Sequence, residues 1–134
     1  MYALDTNTLI HFFKGQGKVA ETLLSTAPRD IAIPAVVLYE LEVGIVRSAR
    51  ATQRRRQLDA LTGLVSVLPF DGAAARRAAE VRAELESAGM SIGPMDTLIA
   101  GTALSNGAVL VTHNTGEFSR VKGLRLQDWY QGSG

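Results

Sequence analysis

Four short, mainly apolar runs, at residues 2–4, 31–33, 64–68 and 109–111, and a last short strand expected near residues 124–126, are separated by longer stretches whose apolar positions recur with helical spacing. Runs of that length suit strands, and strands joined through helical crossovers pair in parallel. Parallel sheets must be covered on both faces. The expected fold class is therefore α/β, with a short central parallel sheet flanked by helices on both faces.

A chain of 134 residues, 46% of them hydrophobic, can bury one core, and no repeat, low-complexity tract or linker divides residues 1–134, so a single domain is expected. No apolar run reaches the roughly 18 residues that a membrane helix requires. The start, MYALDTNTLIHFF, has no basic leader and no small-residue cleavage site, and polar residues at 5–8 interrupt its apolar character. A cytoplasmic chain that begins here is the expectation.

Local signals fill in the helices. Thr6 or Asn7 can cap a helix running to about Lys14, and a second helix is predicted over residues 19–25. Pro34 suits the first turn of a helix that continues to about Arg47, and another covers residues 51–61 before Gly63. Asp71 can cap a long helix ending at Ser87, with Gly89 as its stop; Ala74, Ala78, Val81 and Leu85 form its core stripe. Pro94 opens a helix that ends near Gly107, and a short helical turn is predicted over 116–119.

Four carboxylates stand against this apolar pattern. Asp5 ends the first strand, Glu40 and Asp96 lie within apolar helical segments, and Glu117 follows the strand at Val109–Val111. An ionised carboxylate withdrawn from water must be paired, hydrogen-bonded, bound to metal or protonated, so several together point to a divalent cation. With no cysteine and only His11 and His113 available, that cation would be oxygen-ligated, which favours Mg²⁺ or Mn²⁺.

The positions agree with such a site. In open α/β sheets ligands bind beyond the carboxyl ends of the strands, where Asp5 and the segment 112–117 fall. Asp96 shares a helical stripe with Ile99, Ala100 and Ala103, although the first turn of a helix also welcomes an acid as a cap. Periodicity does not separate Glu40 from Glu42, because the helix between them is apolar nearly all round; Gly44, one turn beyond Glu40, leaves room for a ligand beside it.

The segments LDTNTLI (residues 4–10), PAVVLYELEVG (34–44), GPMDTLIAGTAL (93–104) and VTHNTGEF (111–118) resemble, in order and spacing, the PIN-domain nucleases, and among them the VapC-type ribonuclease toxins of bacterial toxin–antitoxin pairs. The likeness extends to the ending KGLRLQDW at residues 122–129. It implies a PIN-like fold and places the family's acids on Asp5, Glu40, Asp96 and Glu117, with Glu42 as a variable neighbour. Asp5 and Asp96 are the implied direct metal ligands, and Glu40 and Glu117 act through water or orient the nucleophile. Thr6 and Asn7 are expected to orient Asp5, and Thr112 and Asn114 to support the site; His113 is substrate-facing or incidental. The implied reaction is Mg²⁺- or Mn²⁺-dependent hydrolysis of RNA, leaving 5′-phosphate and 3′-hydroxyl ends. A cognate antitoxin and a homodimer are the implied partners.

Arginine dominates the basic residues, and Arg47, Arg50, Arg54, Arg55 and Arg56 crowd into residues 47–56 without an acid. Such a run binds RNA phosphates or simply forms a solvated helix face. Two rival α/β enzymes fit poorly. An aspartyl-phosphate phosphatase needs an acid two residues beyond the nucleophile, where this chain has Asn7; a receiver domain needs an acidic pair beside the strand-one acid. A PIN-like RNA-binding or scaffold module without activity is the remaining alternative, disfavoured because all four acidic positions are filled.

Overall fold

The structure, a computed structural model, describes residues 1–131. Five strands form one parallel sheet in the order β3-β2-β1-β4-β5: β1 (Tyr2–Leu4), β2 (Ile31–Pro34), β3 (Ser66–Leu68), β4 (Val109–Val111) and β5 (Leu126–Gln127). Tyr2 lies opposite Ile31 on one side and Val109 on the other, and Leu4 opposite Val111, so the carboxyl ends of β1 and β4 are level. The chain steps outward from β1 through β2 to β3, then crosses back to β4 and β5. This reversal opens a crevice at the carboxyl ends of β1 and β4.

Helices α1 (Thr6–Lys14), α2 (Val19–Leu24), α3 (Ala35–Val46) and α4 (Ala51–Thr62) lie on the outward connections. Helices α5 (Gly72–Ser87) and α6 (Pro94–Ser105) form the return crossover, and the short α7 (Thr115–Phe118) joins β4 to β5. These helices flank the sheet: α5 packs along α6, and α3 and α6 both meet β2 and each other. The strands read as continuous apolar runs because both faces are covered: Ala3, Leu4, Ile31, Ala32, Ile33, Leu110 and Val111 are all buried. Among the described residues no helix is long and apolar enough to cross a membrane.

The expected stripe of α5, Ala74, Ala78, Val81 and Leu85, is buried as a set. It receives α6 at very short range. A Cβ built on Gly101 would fall 2.6 Å from the backbone nitrogen of Ala78, so the two helices approach backbone to backbone where neither carries a bulky side chain. Gly89 takes a positive φ of 67° just past the end of α5, the conformation that glycine adopts without strain.

Several boundaries depart from the sequence expectation, each for a local reason. Asp5, not Thr6 or Asn7, caps α1: its backbone is extended and its side chain accepts from Thr8 N. Pro34 closes β2 opposite Leu68 instead of opening α3, since its ψ of 140° is extended. The third strand begins at Ser66, not Leu64, because the amides of Leu64 and Val65 both donate to Leu61 O at the end of α4. Likewise Leu124 N donates to Val121 O in a turn, so β5 starts at Leu126. The turn after β4 begins at Thr115 and ends at Phe118, one residue ahead of its expected span at both ends.

Candidate active site

The site grows from the end of β1. Asp5 N still donates to Val111 O at 3.1 Å, which holds the first acid against β4, and the Asp5 side chain then turns to cap α1 by accepting from Thr8 N at 2.9 Å. Thr8 also donates its hydroxyl to Val111 O at 3.1 Å. Asp5 is only 4% exposed; its carboxylate is held by Thr8 N, and its backbone and Thr8 are both tied to Val111 O at the end of β4. Thr8 is the residue that orients Asp5. Sequence reasoning overlooked it, although an acid followed three residues later by an amide donor is the ordinary N-cap pattern.

Thr6 serves a different acid from the one expected. Its hydroxyl donates to Glu40 Oε1 at 2.6 Å, which carries the start of α1 to the middle of α3. Asn7 is exposed and makes no side-chain hydrogen bond to Asp5, because the helix-capping geometry gives that place to Thr8. Glu40 is half-buried toward the crevice, whereas Glu42 pairs with Arg55 through contacts of 2.5 and 2.8 Å on the α3–α4 surface. The two glutamates left unresolved by periodicity are thus separated by their partners. Glu42 and the neighbouring charge of Asp59 raise the pKa of the Arg55 guanidinium further, the hydrogen bond to Glu42 being the largest cause.

On the other side of the crevice, Asp96 occupies the first turn of α6, and Glu117 lies on α7. Asn114 Nδ2 donates to Glu117 Oε2 at 2.6 Å, and Asn114 N in turn donates to the hydroxyl of the fully buried Thr112 at 3.0 Å. Thr112 and Asn114 therefore form a short relay from the end of β4 to the fourth acid.

Electrostatics ties the four acids together. Burial, followed by the charges of Glu117, Asp5 and Glu40 and a hydrogen bond with Glu117, raises the carboxyl pKa of Asp96 from 3.8 to about 6. Each of these causes disfavours the ionised form of Asp96, so the carboxyl holds its proton to higher pH than an ordinary aspartate does. A cation would relieve the same repulsion. Even so, no three carboxylate or imidazole groups among the described residues converge as a ready-made coordination sphere. Such a donor set suits Mg²⁺, which keeps several waters and takes one or two carboxylates directly, better than a cation that demands a closed protein cage.

The surroundings are uneven. From Glu40 a mainly apolar groove of about 250 Å³ runs between α1, α3 and α4, bounded by Ile10, Phe13, Leu41 and Ile45, with Lys14 and Arg54 also lining it. A larger cavity of about 860 Å³ lies between α5 and α6, lined by Ala78, Leu85, Ile92 and Leu98, and contains none of the four acids. The residues 47–56 do not act as one cationic face. Arg55 is held by Glu42 and Arg54 reaches Gln57 at 3.3 Å, while Arg47, Arg50 and Arg56 are exposed.

This arrangement, a reversed parallel sheet with acids at the ends of β1 and β4 and on α3 and α6, defines a PIN-type nuclease scaffold. The PIN domain profile matches residues 2–124. The chain is 36% identical over 128 residues to the tRNA(fMet)-specific endonuclease VapC of Shigella flexneri, covering 96% of this chain and 97% of that relative. It is also 36% identical over 131 residues to ribonuclease VapC1 of Haemophilus influenzae, covering 96% and 98% of the two chains. Among solved structures, VapBC2 of Rickettsia felis bound to a promoter DNA fragment superposes with a TM-score of 0.88 at 34% identity, covering 96% and 98%. DNA-bound VapBC of Salmonella typhimurium gives 0.89 at 35%, covering 96% and 97%. The chain belongs to the PIN-domain family and, within it, to the VapC ribonucleases of toxin–antitoxin systems.

Proposed function

We propose that this chain is a Mg²⁺- or Mn²⁺-dependent endoribonuclease whose site is the set Asp5, Glu40, Asp96 and Glu117, acting as the toxin of a toxin–antitoxin pair. One observation carries the proposal: the charges of Glu117, Asp5 and Glu40 all fall on Asp96 and, together with burial, hold its carboxyl near a pKa of about 6. A cation beside Asp96 would offset this accumulation of negative charge.

Asp5 and Asp96 would hold the ion, since each projects from the start of a helix at the crevice. When bound, a hard divalent ion supplies Lewis-acid polarisation of the scissile phosphate and lowers the pKa of water. The protein's own part is positional. Thr8 fixes Asp5, Thr6 fixes Glu40, and the Thr112–Asn114 relay fixes Glu117, so the glutamates can accept a proton from, or orient, the attacking water. The leaving 3′-oxygen then takes a proton from solvent, giving 5′-phosphate and 3′-hydroxyl ends.

The partner is a cognate antitoxin, a reading supported by the similar VapBC structures of Rickettsia felis and Salmonella typhimurium. Its segment would lie in the groove beside Glu40, where apolar walls lead to a carboxylate that a basic side chain can meet. A homodimer would cover apolar side chains left exposed at Phe70, Met90 and Met95. Exposed Arg47, Arg50 and Arg56 remain free to meet RNA phosphates.

Induction of the chain followed by sequencing of RNA ends tests the activity. New 5′-phosphate ends at defined positions are expected, suppressed when the neighbouring small open reading frame is co-expressed. Absence of new ends from a soluble, folded chain would overturn the proposal.

A further inference from the structure

A cluster of rings that the nuclease chemistry does not use stands at the same end of the sheet. His113, in the loop between β4 and α7, stacks on Tyr130 with ring centroids 4.4 Å apart and planes inclined by 26°. His11, on the last turn of α1, meets Tyr130 edge-on at 4.8 Å and His113 at 5.9 Å. One carboxylate locks the pair: Asp128 Oδ2 accepts from His113 Nδ1, and Asp128 Oδ1 accepts from Tyr130 N, both at 2.9 Å. From behind, Gly17 at a φ of 62° lies so close that a Cβ there would come within 2.7 Å of the Tyr130 ring. The histidine side chain nevertheless remains 41% exposed.

We propose that His113, held flat by Tyr130 and Asp128, is a stacking platform for a nucleobase of the RNA strand flanking the scissile phosphate. The inference rests on the nuclease reading above. Three observations favour a base over a phosphate or an apolar partner. The ring is pre-oriented by a stack and a carboxylate, so little side-chain entropy is lost when a base extends the stack. Asp128 accepts the hydrogen bond from His113 Nδ1 and places a carboxylate beside the ring, which disfavours a phosphate. Position is the third: His113 lies between Thr112 and Asn114, which support the acid Glu117, so the same loop carries the ring and holds the fourth acid. Orienting the ring through Nδ1 leaves Nε2 as its remaining polar atom, able to meet a base edge.

The test uses the full chain carrying Asp5→Asn, which keeps the cap of α1 and prevents cleavage, and a fluorescent single-stranded RNA of mixed sequence. With His113→Ala added, RNA affinity is expected to fall roughly ten- to hundredfold, the range for losing one base–aromatic stack. His113→Phe should restore most of it, and His113→Asn, polar but unable to stack, should not. The slope of affinity against salt should be the same in all four proteins, because stacking neutralises no phosphate. Equal affinity for the Ala and parent proteins overturns the inference while leaving the nuclease intact. A changed salt slope overturns it in favour of a phosphate contact. Weakened antitoxin binding with unchanged RNA affinity overturns it in favour of a protein partner. A parent that binds no RNA at all removes the nuclease reading and this inference together.

Discussion

Thr6 Oγ1 donates to Glu40 Oε1 across 2.6 Å, joining the first residue of α1 to the middle of α3. These residues are thirty-four apart in the chain. The bond aims a flexible glutamate that would otherwise lose entropy in finding one rotamer. Thr6→Val keeps the side-chain shape and deletes the donor, removing a bond to a charged acceptor worth about 1.5–3 kcal/mol. Turnover on RNA should fall about tenfold or more, beyond the few-degree to roughly ten-degree loss of melting temperature that a bond of this size implies. Unchanged turnover at saturating metal would show that Glu40 needs no such anchor.

The two glutamates of α3 offer a sharper comparison. Glu40→Gln should cut turnover strongly. Glu42→Gln breaks an exposed ion pair with Arg55, of a kind worth about 0–1 kcal/mol, and should leave turnover near wild type. Parallel single-turnover assays of the two variants decide it, and equal losses would count against the assignment.

Asp96 links stability to pH. Its folded pKa lies near 6, above the ordinary 3.8, so the apo folded state binds a proton that the unfolded chain releases more readily. The resulting stabilisation is complete below about pH 3.8 and is lost as pH rises through about 6. Asp96→Asn, which cannot ionise, should therefore raise the apo melting temperature relative to wild type at pH 8 more than at pH 4.5. Saturating Mn²⁺ should narrow the gap at pH 8 by stabilising only the wild type. An equal gap at both pH values would remove the electrostatic explanation.

The contact of Gly101 with the Ala78 backbone sets the position of α6, and through it Asp96. Gly101→Ala must push the helices apart, an overpacking cost of roughly 1–3 kcal/mol. A fall of about 5–10 °C in melting temperature is expected. Gly72→Ala, at a position where an added Cβ meets nothing within 4 Å, serves as the control and should not destabilise. Calorimetry of both variants checks the pair.

Much of this was legible in the chain. Apolar runs bounded by helical stretches define parallel strands wherever both faces are buried, as at β1, β2 and β4. The acids stood out because each interrupted such a pattern. Harder to read were the shortest edge strands, since the ends of β3 and β5 are set by which turn claims the amides of Leu64, Val65 and Leu124. The role of Thr8 follows from a capping bond that competes with its neighbours at the helix start, and Thr6 finds its partner only across the fold. The platform of His11, His113, Asp128 and Tyr130 joins three distant segments and has no local signature. Glu40 and Glu42 differ only in their tertiary partners, which periodicity on an all-apolar helix does not encode.

The most direct measurement is cleavage of a defined RNA by purified wild type, Asp5→Asn and Asp96→Asn, each with Mg²⁺, with Mn²⁺ and with excess chelator. Wild type should cut with either metal and stop with chelator, with activity returning when metal is restored, while both variants stay folded and lose cleavage by at least about a hundredfold, on the order of 3 kcal/mol of transition-state stabilisation. Full cleavage by either variant, or wild-type cleavage that persists in chelator, would contradict the four-carboxylate metal site.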